Sequence, residues 1–324
     1  KEGGLEILAE GSVENSGTLS SKSELKVTSS ESLESTGTII AQEDTTLQAQ
    51  QDIQLDGTIN SFANLNLNAG KNLILKGESY AKNNAIFIGE TIELTDKASH
   101  LSEFGRIQMT SDKDTKFSGF AQAAQNINIT SGTLFETAGT IISEENLDVI
   151  SENFFSTTTG ALRAQDTLKL NIENSVDNSG YLGAGTTLDL TTKTLHNRNG
   201  GQIVATDALS LTTERIEMEV DSLATSTAGD ITMTTTRGAQ IDGSILASAE
   251  GKSLSLQSEG QDVTLSETGT LFADGNLDLT AANLTSAGAI YSKNSNSTIT
   301  LSGDVDNSGY LGAGTTLDLT TNTL

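Results

Sequence analysis

The chain has 324 residues, no Pro, Cys or Trp, 4% aromatic and 35% apolar residues, and a net charge of −25 from 43 acidic and 18 basic side chains. The lack of Cys excludes disulfides and thiolate metal sites, and so acidic a surface repels nucleic acid and anionic membranes. No run approaches the roughly 18–20 consecutive apolar residues of a membrane helix, so no membrane insertion is expected; yet apolar residues are spread too evenly for a disordered acidic tail.

Lys1-Glu2-Gly3-Gly4 does not read as a natural start, and the chain reads as an internal fragment. The first clear unit centres on Gly17. An apolar residue stands four before it (Val13) and two after it (Leu19), a small one at plus four (Ser21), and an apolar pair at plus eight and plus ten (Leu25, Val27). Gly37 follows with small deviations, and Gly57 repeats the set as Ile53, Ile59, Ser61, Leu65 and Leu67. From Lys71 to Phe120 the turn glycines fade and the register loosens, although Ile86/Ile88 and Ile107/Met109 keep the apolar pairing. Gly119, Gly139, Gly160, Gly180 and Gly201 restore the pattern, with origins 20 or 21 residues apart. Residues 213–260 are expected to carry longer loops. Alternation in Arg215–Val220 puts Ile216, Met218 and Val220 on one face and Glu217 and Glu219 on the other, and the coil lengthens near Gly243 and again near Gly288. Gly269 and Gly309 close the series. Val176–Leu195 recurs as Val305–Leu324 with a single change, Lys193 against Asn322.

Apolar residues two apart, as in Leu188-Asp189-Leu190, mark a strand with one buried face, and enrichment in Thr, Val and Ile agrees. Asn-Ser-Gly, Asp-Gly and Ala-Gly between such pairs form turns. A unit of this size cannot bury its own apolar face, whereas a stack of such units can. The expected fold is therefore all-β: a right-handed parallel β-helix, or solenoid, of about fifteen coils of about 20–21 residues, running as one continuous segment over 1–324. The plus-four position is Ala or Ser in every clear unit, which predicts a side chain pointing inward at a tight corner. Proline would remove a ladder hydrogen bond in nearly any coil, so its absence fits strands internal to a stack.

Asn178-Ser179-Gly180-Tyr181-Leu182-Gly183-Ala184 and its copy Asn307–Ala313 carry a repeat that resembles those of the filamentous haemagglutinins and of contact-dependent growth inhibition exoproteins, both exported by two-partner secretion. Degenerate copies cover nearly the whole chain. The resemblance implies a stalk segment of a secreted filament on the bacterial cell surface. It also implies an outer-membrane secretion partner during export and a role in projecting an adhesive or receptor-binding surface. The Asn-Pro-rich motifs of the family's secretion domain and the Val-Glu-Asn-Asn junction that precedes its toxins are both missing here.

Function is sought where the repeat weakens. Residues 71–120 hold seven basic and seven acidic residues, so the rest of the chain carries the whole net charge. Five of the thirteen aromatics lie here, and aromatics beside long basic side chains are common at interfaces. The candidate partner-binding residues are Tyr80, Lys82, Phe104, Arg106, Lys113, Lys116 and Phe120, facing a protein or glycan receptor on a neighbouring cell. Phe87 and Phe117 instead suit the interior of wider coils, and His100 and His196 are expected in turns. A purely mechanical spacer is the alternative. A glycan-processing enzyme on the same scaffold needs clustered acidic and basic groups, and the outward Asp189 and Asp318 have no His or Arg beside them. No catalytic residue, cofactor or metal site is expected.

Overall fold

The computed structural model describes residues 3–322. They contain no helix and form a parallel β-solenoid of about sixteen turns. A regular turn has three short strands, as in Leu25–Ser29, Leu33–Ser35 and Thr38–Ala41. Each pairs in parallel with its equivalent one turn on: Leu25 with Thr45, Leu33 with Ile53, Thr38 with Thr58. The chain divides into two compact units, 1–152 with 159–165, and 153–158 with 166–324.

In the first unit, period-two alternation buries one side of each strand and stacks like residues into inward columns. Val27, Leu47, Leu67, Phe87, Met109 and Ile129 form one, all at most 1% exposed. Leu33, Ile53, Leu73 and Ile92 form another. Phe87 and Phe117 are wholly inside, as expected for wider coils. No single strand is stable alone; the columns between coils supply the burial.

From Ile127–Thr137 onward the first two strands of a coil fuse, in the second unit as Leu168–Asn178, Thr187–Asn197 and Ala208–Met218, and they separate again from Ile231–Thr235 and Ala239–Ile241. Asn178 and Asn197 are buried at the ends of two of them. The Asn178 amide donates to Asn197 Oδ1 at 2.8 Å, and Asn197 donates to the Gly201 carbonyl at 3.0 Å. A polar pair is tolerated inside because its partners are satisfied. Ile216 and Met218 are buried as expected, but Val220 is 42% exposed. The strand ends at Met218, and the chain turns at Asp221, whose φ is +61°. The longest offset falls after Gly243, with Ser244 paired to Thr270.

The small plus-four residues point inward at the corner after the four-residue strand; Ala41, Ala81, Ala123, Ser61 and Ser143 are at most 1% exposed. Serine adds a reason of its own. The Ser61 hydroxyl lies 2.7 Å from the Asn64 carbonyl and 3.0 Å from the Glu43 carbonyl of the coil below, and Ser143 makes the same pair with Asn146 and Gln125. The hydroxyl thus satisfies turn carbonyls within a coil and between coils. Ser61→Ala is expected to cost about 1 kcal/mol, since a hydrogen bond is lost but Ala41 and Ala81 show that the corner accepts a methyl. Ser61→Val should cost more, roughly 1–3 kcal/mol, by overpacking. Urea-unfolding midpoints of the two variants check the order.

Candidate functional site

The 71–120 stretch keeps complete coils despite its irregular sequence, with four-residue strands at Glu78–Ala81 and Ser99–Ser102 and five-residue strands at Ala85–Gly89 and Ile107–Ser111. Tyr80 faces outward on the four-residue face, paired between Asn60 and Leu101. Its ring meets Phe62 edge-on at 6.0 Å, and its hydroxyl donates to the Glu103 carboxylate. That hydrogen bond, aided by burial and the Glu103 charge, pushes the phenol pKa up to about 12. The adjoining turn exposes Lys82, Phe104 (58% exposed) and Arg106. The Phe104 N–H donates to the Lys82 carbonyl at 2.9 Å, which stacks the two turns directly.

Arg106 interrupts a side-chain ladder. Asn64 donates to Asp44 at 2.9 Å and Asn84 to Asn64 at 3.2 Å, and the Arg106 N–H caps Asn84 Oδ1 at 3.2 Å. An amide ladder along one corner holds successive turns at a fixed spacing. Arg106 ends it and turns a long cation outward beside Phe104.

The structure does not bring all seven candidates together. Tyr80, Lys82, Phe104 and Arg106 share one corner, and Phe62 and Leu101, both more than a third exposed, extend it. Phe120 is half-buried at the opposite end of the four-residue face, paired with Ser99 and Thr140. Lys113 and Lys116 lie on other faces. Lys113 is ion-paired with Glu90, which holds the Glu90 carboxyl low and the Lys113 ammonium high. Lys116 stands in register beside Glu93 on the strand after the next turn. The first four present aromatic faces and two cations together; Lys113 is held by a carboxylate and Lys116 stands in register with one.

Two histidine placements depart from expectation. His100 is not in a turn: it lies within Ser99–Ser102, points inward and is fully buried. Its Nδ1 sits 2.8 Å from Ser79 Oγ, its Nε2 3.2 Å from Ser102 Oγ, and its ring lies 4.9 Å from that of Phe87. Burial lowers its pKa to about 3. The column runs Ile59, Ser79, His100, Ala121, so small neighbours above and below make room for the ring. His196 likewise lies within a strand, Thr187–Asn197, and its Nδ1 meets Glu217 at 2.6 Å.

That contact belongs to a ladder the sequence reading missed. Asp177, His196 and Glu217 are in register on successive turns. Arg198 grips Asp177 with two nitrogens at 2.9 and 2.7 Å and Glu219 with a third at 2.8 Å, while Arg215 meets Glu217 at 2.5 Å. Arg198 holds the Glu219 carboxyl low, and Glu217, which burial would raise, is brought down by Arg215 and His196. The signal was available as acids and bases 19 to 21 residues apart. These groups are engaged with one another. Among the described residues no group of three or more His, Asp or Glu side chains is placed to hold a metal ion, and no helix is long and apolar enough to cross a membrane.

The family model for the haemagglutinin repeat matches residues 2–77, 118–170, 155–215, 220–309 and 272–324. No curated protein and no solved structure matches the chain. The largest break in the match, 78–117, contains Tyr80, Lys82, Phe104 and Arg106. With repeats over most of its length and a solenoid built from them, the chain belongs to the haemagglutinin repeat family.

Proposed function

We propose that this chain is a non-catalytic segment of a secreted bacterial surface filament, exported with an outer-membrane partner. In this reading it touches a receptor on a neighbouring cell through the corner formed by Tyr80, Lys82, Phe104 and Arg106. One observation carries the reading: two cations and a set of exposed rings gather on one corner of an otherwise acidic stack, within the stretch where the repeat pattern yields. Exposed aromatic and Arg side chains are the usual anchors of protein interfaces. A catalytic reading has less to rest on, since His100 is sealed in the core and His196, Arg198 and Arg215 are engaged in ion pairs.

The test is binding of the purified chain to target cells or their outer-membrane vesicles. Tyr80→Ser, Lys82→Gln, Phe104→Ser and Arg106→Gln together should weaken binding at least tenfold while the circular dichroism stays that of the parent. Undiminished binding removes the corner from the mechanism. Lack of binding by the parent chain favours the mechanical spacer.

A further inference from the structure

The face that differs most from the rest of the second unit is the one formed by its four-residue strands, and nothing in the ladder or the Tyr80 corner uses it. Six such strands, from Tyr181–Ala184 to Ala289–Ser292, and the three-residue Tyr310–Gly312 stack in register. Their first and third residues point outward, and not one of these fourteen positions is charged. Residues 166–324 carry twenty acidic and seven basic side chains, so the charge has been kept to the other faces. Asp177, Glu217 and Asp306 stand on one of those; Asp189, Asp278 and Asp318 stand on the other.

What occupies the uncharged face is neutral and compact: apolar and aromatic side chains with Gln202, Thr225, Ser244 and Thr270 among them. Val204, Thr225, Leu246, Phe272 and Tyr291 follow one another in its central column, and the Thr225 hydroxyl is turned to the Leu246 carbonyl. Phe272 packs against Tyr291 at 4.9 Å, and Tyr291 against Tyr310 at 5.8 Å. A Cβ on Gly183 would lie 2.3 Å from the Tyr181 ring, and one on Gly312 would lie 2.4 Å from the Tyr310 hydroxyl. Each tyrosine therefore lies flat across the glycine two residues on, which covers bare backbone with an aromatic plane.

We propose that this face is a homotypic docking surface, on which two copies of the chain pack sheet against sheet. The charge distribution selects the occupant. Bringing copies together by either other face sets charged side chains against their own kind, whereas this face opposes only neutral side chains. Short, branched and aromatic side chains lose little rotamer freedom on burial. A stack with a constant step between turns is self-complementary under a two-fold axis, so one patch serves both partners. Four residues across and seven turns along give roughly 13 by 34 Å, about 900 Å² for both copies. That is below the ~1,200 Å² of a stable interface, so the pairing is weak and reversible. Like net charge opposes it over a distance that salt shortens, from about 10 Å at 0.1 M to about 3 Å at 1 M. Association must therefore strengthen with salt, opposite to an interface held by ion pairs.

Sedimentation velocity over a hundredfold concentration range, at 0.1 M and 1 M NaCl, tests the proposal. A monomer–dimer equilibrium that tightens at the higher salt is expected. Leu246→Glu with Tyr291→Glu should weaken it at least tenfold, whereas Thr212→Glu with Thr232→Glu, exposed on another face and equal in charge, should leave it within twofold. Circular dichroism confirms that both pairs of substitutions keep the β signal. Monomer at every concentration and salt overturns the proposal, as it must if the face serves a glycan or an unrelated protein instead. Dimers that weaken with salt, or that lose equal affinity in both double variants, overturn it too, and the latter result points to end-to-end contact of strand edges.

Discussion

Gly57→Ala lowers the unfolding free energy by roughly 2–4 kcal/mol, far more than an ordinary glycine replacement outside a helix or strand interior. The reason is not backbone conformation, because Gly57 is not among the residues with positive φ. It is distance. A Cβ at Gly57 would lie 1.9 Å from the Gly37 carbonyl oxygen and 2.8 Å from the Thr36 carbonyl. The obstacle is main chain, which no rotamer change can move. The same holds for Gly37 against Gly17 at 2.0 Å and Gly77 against Gly57 at 1.9 Å. Making room means parting two coils, which stretches the 3.1 Å hydrogen bond from the Thr58 N–H to the Gly37 carbonyl. Gly17→Ala is the control: its Cβ meets nothing within 4 Å, so its effect should stay within about 0.5 kcal/mol. Urea unfolding of the two variants decides the matter, and equal costs would show that the column of close approaches is not what selects glycine.

This column explains why the fold was legible. Glycine marks the origin of the repeat because each coil passes a carbonyl close under the next at that point, as at Gly37, Gly57, Gly77 and Gly139. Val13, Leu19, Ser21, Leu25 and Val27 then fall on three strands with the inward phase expected of them. A solenoid writes its packing rule once per turn, so its many copies overwhelm local noise. Features that depend on differences between coils were harder to read. His100 replaces an aliphatic residue in a column that runs Ile39, Ile59, Ser79, His100, Ala121 and Ile141, and a lone sequence position gives no hint that Ser79 one coil below has shrunk to admit it. The uncharged outward face was hidden for a related reason. Its central column stands mostly at plus three, between the two positions that define the repeat, and only the stacking of Val204, Thr225, Leu246, Phe272 and Tyr291 reveals it as one surface. The seven candidates at 71–120 were grouped by nearness in sequence, but a coil carries consecutive residues round three faces. Lys113 and Tyr80 are thereby separated, and Phe62, nearly a coil earlier, is brought against Tyr80.

Acid weakens the coils around His100 before any carboxylate with a lowered pKa comes into play. In the folded chain the imidazole pKa is pressed down to about 3 by burial, against about 6.5 when the chain is unfolded. Above pH 6.5 the ring is neutral in both states and costs nothing. Below it the unfolded chain binds a proton that the folded chain refuses, so stability falls by about 1.4 kcal/mol per pH unit until the folded pKa is reached. Between pH 7 and pH 5 the loss is about 2 kcal/mol. The sign is opposite to that of the carboxylates with depressed pKa, Glu90, Glu217, Glu219 and Asp274. Their stabilisation is intact above their ordinary values of 4.5 and 3.8 and fades only below them, so the interval from pH 7 to 5 leaves these carboxylates out, and the comparison with a His100 variant assigns the loss. The ring's polar partners, Ser79 and Ser102, bring no charge to offset a proton, and Phe87 closes one side. His100→Gln keeps a hydrogen-bonding side chain but cannot titrate. It should lower stability by roughly 1–2 kcal/mol at pH 7 through imperfect packing, yet lose no more between pH 7 and 5. Urea midpoints of parent and variant at the two pH values measure the difference directly. Parallel pH profiles would mean that water reaches the imidazole and that the core is open at this coil. Because each turn contacts only its neighbours, the acid-driven opening should begin locally, with the earliest loss of amide exchange protection over Ser79, Ser102 and Ala121.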